Sequence, residues 1–80
     1  MSGWSQRPDA LEREFEFADF GEAMAFVNRV AGVAEERNHH PDILVHGWNK
    51  VRLTLSTHSE GGLTDADHAL ARAVDELGAG

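Results

Sequence analysis

The sequence predicts an α+β fold in two layers: an antiparallel sheet with helices packed on one face. Three observations predict it. Leu11–Phe17 and Lys50–His58 carry apolar residues at a period of two, the signature of half-buried strands. Segments beginning at Asp19 and Thr64 carry them at helical spacing, each opened by a capping pattern. The order strand, helix, strand, strand, helix closes most simply as a sheet covered on one side.

Each element has a local reason. Residues 1–10 are polar, with Gly3 and Pro8, and read as an irregular entry with a short strand near Trp4. Leu11, Arg13, Phe15 and Phe17 then face one side and Glu12, Glu14 and Glu16 the other. Arg13 is the one misfit on the apolar side. Asp19 and Glu22, three apart, form a capping box. Phe20, Ala23, Met24, Val27, Val30, Ala31 and Ala34 follow as an apolar stripe, widened by Phe26 and Val33. Gly32, costly inside a helix, marks a close packing contact. Pro41 stops the helix by His40.

Asp42–Trp48 reads as a strand centred on Ile43-Leu44-Val45, and Gly47 and Asn49 as a bend. Lys50–His58 follows, with Val51, Leu53 and Leu55 inward and His58 at the end of the polar face. The two strands make a hairpin. Ser59–Gly62 is a loop. Thr64 and Asp67 repeat the capping box, Ala66, Leu70, Ala73, Val74 and Leu77 face inward, and Gly78 ends the helix.

Size and charge narrow the function. The 80 residues make one domain, residues 1–80, and leave a lone chain marginal. Leu, Ile, Val and Phe together number 18, enough for a core. With no cysteine, disulfides and thiolate metal sites are excluded, so oligomerisation is the expected staple. The net charge of −7, with scattered basic residues, argues against direct nucleic-acid binding. No apolar run approaches a membrane span, and the N-terminus carries no secretory signal. These features fit a cytoplasmic protein.

Five histidines carry the candidate chemistry: His39, His40, His46, His58 and His68. His39 and His40 lie between a helix end and a proline, and His58 ends a strand, so they can converge at one sheet edge. Glu35, one helical turn before His39, can orient or repel a histidine proton. Histidine titrates nearest neutrality and suits acid–base work without a metal. Neither Ser56 nor Ser59 has a nucleophile's context. Plainer readings stand beside these. A His-His pair before proline also describes a solvated helix terminus. Three histidines also suit zinc, but adjacent side chains diverge and no carboxylate support is evident. Asp67 is most simply a cap, Trp4 and Trp48 core or interface aromatics, and His46 and His68 surface residues.

A longer pattern sharpens this. Glu35-Glu36-Arg37-Asn38-His39-His40-Pro41, then Trp48-Asn49-Lys50-Val51, Leu53–His58, Gly62-Leu63-Thr64 and Asp67 resemble the pterin-4a-carbinolamine dehydratases, also known as dimerisation cofactors of a homeodomain transcription factor. That family's pattern is an acidic residue, three others, His, His or Asn, and Pro, followed by an aromatic, a His or Trp, and an Asp. Here Trp48 follows Pro41 after six residues, His58 follows after nine, and Asp67 after eight. The resemblance runs from Gly3-Trp4 onward and includes Phe17-Ala18-Asp19-Phe20. It departs in two respects: the family's additional helix before the Gly-Trp pair has no counterpart here, and the segment Ser5–Ala10 is shorter than usual.

The resemblance implies dehydration of 4a-hydroxytetrahydropterin to quinonoid dihydropterin, in tetrahydrobiopterin recycling, with no metal or other cofactor. It makes His39, His40 and His58 the catalytic set and Glu35, Ser56, Thr57, Asp67 and Trp4 the residues around the pterin. It also implies an α+β two-layer sandwich with a four-stranded antiparallel sheet, the short strand near Trp4 being the fourth, a homodimer by sheet extension or a homotetramer by helix packing, and a functional link to an aromatic amino-acid hydroxylase. The alternative it leaves is a non-enzymatic dimerisation, transcriptional-cofactor or assembly module of the same fold.

Overall fold

The computed structural model describes residues 3–57 and 62–77. The elements are β1 (Ser5–Gln6), β2 (Leu11–Glu16), α1 (Phe20–Arg37), β3 (Asp42–His46), β4 (Lys50–Leu55) and α2 (Asp65–Asp75). The four strands form one sheet in the order β1-β2-β4-β3, antiparallel throughout. This is the α+β arrangement expected from the sequence, and the short strand near Trp4 is β1.

Register follows from the alternation. Phe15 lies opposite Val51, Arg13 opposite Leu53 and Leu11 opposite Leu55. All of these except Arg13 are buried. A slip of one residue would turn this apolar row to solvent, so burial specifies the pairing. The opposite face pairs Glu12 with Thr54, Glu14 with Arg52 and Glu16 with Lys50. Arg13 tolerates its inward position because its guanidinium lies 4.5 Å above the Phe15 ring and donates to Asp75 at 2.8 Å. The charge thus stays at the margin while the stem covers apolar surface.

Asp19 caps α1 as expected, its side chain accepting from Glu22 N–H at 2.8 Å. Phe26 is the central wedge of the core, its ring 4.7 Å from that of Phe15 and 5.1 Å from that of Phe17. A buried side chain of this size contributes about 2–3 kcal/mol. The buried stripe of α1 is Ala23, Phe26, Val30 and Ala34. Phe20 and Ala31, expected on it, are exposed, because the face that meets the sheet is centred on Phe26 and Val30. Gly32 faces open space rather than a packing contact: a Cβ there would meet nothing within 4 Å.

On α2 the inward residues are Asp67, Leu70, Ala71 and Val74. Ala66 is exposed and Ala73 half-buried. Burial of the acidic Asp67 turns the helix from the orientation that apolar periodicity alone predicts.

Three strands end earlier than expected. β2 stops at Glu16 and Phe17 follows it, its N–H donating to Asn49 O at 2.9 Å. β3 ends at His46, and Gly47 and Trp48 take left-handed backbone angles, φ +55° and +58°. The buried Asn49 returns a side-chain N–H to Phe17 O at 2.9 Å, clasping the hairpin tip to the segment before α1. This leaves Trp48 projecting at 63% exposure. β4 ends at Leu55, and Thr57 makes a single antiparallel bridge with Gly62. His58, Ser59–Gly61 and Gly78 lie outside the described residues. No helix among those described is long and apolar enough to cross a membrane.

Candidate active site at the end of α1 and the start of α2

His39 is aimed by the way α1 stops. Asn38 adopts the left-handed conformation, φ 52°, ψ 40°. The His39 N–H then reaches back to Ala34 O at 3.1 Å, and the Asn38 N–H to Glu35 O at 3.2 Å. This is a Schellman termination, and asparagine is one of the few side chains that tolerate the angle. The helix therefore ends at Arg37, before Pro41 needs to act, and the chain reverses over the end of the sheet. The Asn38 signal was readable in the sequence and is a better stop than Pro41.

The turn carries His39 to the first turn of α2. Its Nε2 lies 2.5 Å from Asp67 Oδ1. Asp67 is fully buried, at 0% exposure. Its other oxygen, Oδ2, accepts from Thr57 Oγ1–H at 2.8 Å and from Thr64 N–H at 3.0 Å. The Thr64 bond is the helix cap expected from the Thr64–Asp67 spacing. Asp67 is thus both a cap and the acceptor for His39, one oxygen for each task. Burial pushes the Asp67 carboxyl up, but hydrogen bonds from His39, Thr57 and Thr64 outweigh it and hold the group below its ordinary value. It stays ionised, and an ionised acceptor holds the Nε2 proton of His39.

His40 points elsewhere. Its Nε2 pairs with Glu35 Oε2 at 2.5 Å, with both side chains more than half exposed. Glu35 therefore contacts His40, not His39. Two adjacent histidines each have their own carboxylate, which the sequence did not reveal for His39 because Asp67 lies 28 positions away.

The remaining candidates divide. Thr57 joins the His39–Asp67 group, and Ser56 is half-buried just before it. Trp4 is in the core, edge-on to Phe15, and its indole N–H donates to Asp75 at 2.9 Å. Asp75 is eight residues beyond Asp67, about 12 Å along the helix, so the polar end of Trp4 meets α2 at its opposite end. His58 follows Thr57 in the chain and lies outside the described residues. Thr64, read from sequence only as a cap, also brings its hydroxyl to Thr57 Oγ1 at 2.9 Å. Among the described residues no three His, Cys, Asp or Glu side chains converge as a metal centre requires.

Known proteins resemble this chain in sequence and in fold. The family model described as pterin 4 alpha carbinolamine dehydratase matches residues 1–77. A protein of Thermomicrobium roseum named "Putative pterin-4-alpha-carbinolamine dehydratase" is 54% identical over 77 residues, covering 96% of this chain and 82% of that protein. One of the same name from Sulfurisphaera tokodaii is 47% identical over the same shares. The crystal structure of a transcriptional coactivator/pterin dehydratase from Brucella melitensis superposes with a TM-score of 0.90 at 38% identity, over 100% of this chain and 85% of that one. A pterin dehydratase-like protein described as a RuBisCO assembly factor in the α-carboxysome gives 0.73 at 31% identity, over 92% and 84%. By sequence and by fold, this chain belongs to the pterin 4 alpha carbinolamine dehydratase family.

Proposed function

We propose that this chain dehydrates 4a-hydroxytetrahydropterin to quinonoid dihydropterin and water. The observation that carries the reading is the partly exposed His39, bound through one ring nitrogen to the buried carboxylate of Asp67. A histidine so held keeps its second nitrogen for a ligand, and the buried carboxylate fixes the orientation of its ring. In the reaction an acid donates a proton to the 4a-hydroxyl, and the carbon–oxygen bond breaks as a ring nitrogen lone pair pushes in. Water leaves, and a base takes a proton from the ring system. His39 and His58 are proposed as the proton donors near the hydroxyl. His40, backed by Glu35, orients the pterin and shares proton transfer. Ser56 is proposed to border the substrate, whereas Trp4, expected there, is buried and bonded to Asp75 at the other end of α2. No metal is needed, because each step moves only a proton or a bonding pair.

The test generates the carbinolamine with an aromatic amino-acid hydroxylase and follows quinonoid dihydropterin by absorbance against the spontaneous rate. Wild-type protein accelerates the reaction, and His39→Ala and His58→Ala each lower turnover about 100-fold. Full activity in the double variant would remove the histidines from the mechanism.

A second reading, an assembly module, is favoured by one feature. Among the described residues the edge strand β3 pairs with β4 alone, leaving its other backbone edge unpaired, and it exposes Ile43 and Leu44, at 37% and 48%. That edge is also where a homodimer would extend the sheet, so sedimentation should show an oligomer on either reading. Only the dehydratase reading requires turnover as well.

A further inference from the structure

A hydroxyl carries one proton. Thr57 Oγ1 commits its proton to Asp67 Oδ2 at 2.8 Å, so its 2.9 Å contact with Thr64 must run from the Thr64 hydroxyl to Thr57. The bonds therefore form a directed chain. Thr64 donates to Thr57, Thr57 to Asp67 Oδ2, and His39 to Asp67 Oδ1. The Thr64 N–H adds a second donor on Oδ2 at 3.0 Å. With both donors on one oxygen, the other is left for the imidazole.

We propose that Thr57 and Thr64 are positioning residues: their hydroxyl pair locks the rotation of the Asp67 carboxylate, which holds the proton of His39 on Nε2 and presents Nδ1 to the pterin. This assignment rests on the dehydratase reading above and gives its acid–base nitrogen a name. Thr57 leaves the set of direct substrate donors, since its only proton is already engaged. Its backbone adds a second constraint. Thr57 and Gly62 exchange both N–H···O=C bonds, at 3.1 and 3.2 Å. One residue is thus tied to His39 through its side chain and precedes His58 in the chain. A pterin hydroxyl meeting Nδ1 would receive its proton from the imidazolium, while Asp67 steadies the charge.

The test has a spectroscopic arm that is independent of turnover. Long-range ¹H–¹⁵N correlation spectra report which ring nitrogen of His39 carries the proton. Wild-type protein should show it on Nε2. Thr57→Val should give a mixture of tautomers, with kcat down about tenfold and KM within about twofold. Thr64→Val, which leaves the Thr57–Asp67 bond in place, should shift both readouts less. Thr57→Ser, which keeps the hydroxyl, should restore both. A neutral wild-type His39 that carries its single proton on Nδ1 would overturn the assignment, even if Thr57→Val fails to fold. So would a folded Thr57→Val protein that keeps the wild-type tautomer, or one whose KM rises while kcat stands still. If the protein proves to have no dehydratase activity, the tautomer measurements still decide the lock, so the two failures are separable.

Discussion

Two regions of this molecule carry nearly the same pair and differ in everything around it. At the start of α2, His39 meets Asp67 at 2.5 Å, and on the outer face of the sheet His46 meets Glu14 at 2.6 Å. The first carboxylate is wholly buried and takes two further hydrogen bonds from Thr57 and Thr64. The second has a side chain 42% exposed, and among the described residues its one further partner is Arg52 at 3.2 Å. The hydrogen bond from His46 lowers the Glu14 carboxyl most. Burial opposes ionisation at Asp67, and the donors around it overcome that opposition. Contact distance therefore says little about what a pair does. Exclusion of water and the other donors on the carboxylate decide whether it fixes a side chain or merely decorates a surface. His40–Glu35 is equally short and the most open to solvent of the three, at 55% and 76%.

Asp67→Ala should have the largest effect. It leaves His39, the Thr57 hydroxyl and the Thr64 N–H without their acceptor. It should cost about 3 kcal/mol in chemical denaturation and abolish most turnover. A near-neutral change would place Asp67 with Glu14 and end the contrast. Acid comes next. The folded Asp67 carboxyl lies below its unfolded value of about 3.9, so the stability it supplies is fully present above that value. That contribution disappears as pH falls through the lower folded value. Thermal melts against pH should show the loss beginning as pH falls below about 4, and Asp67→Asn should flatten that part of the curve.

Smaller effects sharpen the middle of the scale. Glu35→Gln should lower turnover about tenfold while leaving the melting temperature unchanged, because the His40 pair is solvated on both sides. Glu14→Gln should change neither turnover nor melting temperature measurably. A loss of activity there as large as that of Asp67→Ala would show that the outer face takes part in the reaction.

Much of this was legible in the chain. Alternation in Leu11–Glu16 and Lys50–Leu55 specified two strands and their buried faces, because side chains on a strand alternate without regard to context. Asp19 and Thr64 marked both helix starts, because caps satisfy backbone groups locally. The inward face of α2 was misread for an opposite reason. Asp67 occupies a core position that no hydrophobic pattern assigns to an acid, and its three donors come from β4's continuation, its own cap and the end of α1.

The sequence by itself determined the periods, the caps and the spacing of Glu35, His39, His40, His58 and Asp67, since these depend on neighbours along the chain. Only the tertiary structure decided which carboxylate each histidine meets. His39 reaches Asp67 because the Asn38 turn folds the end of α1 over the start of α2, and no local rule encodes a contact between those two ends. Burial, which converts that contact into a fixed proton position, is likewise a property of the packed sheet and helices. Water leaves a site only when elements far apart in sequence close over it.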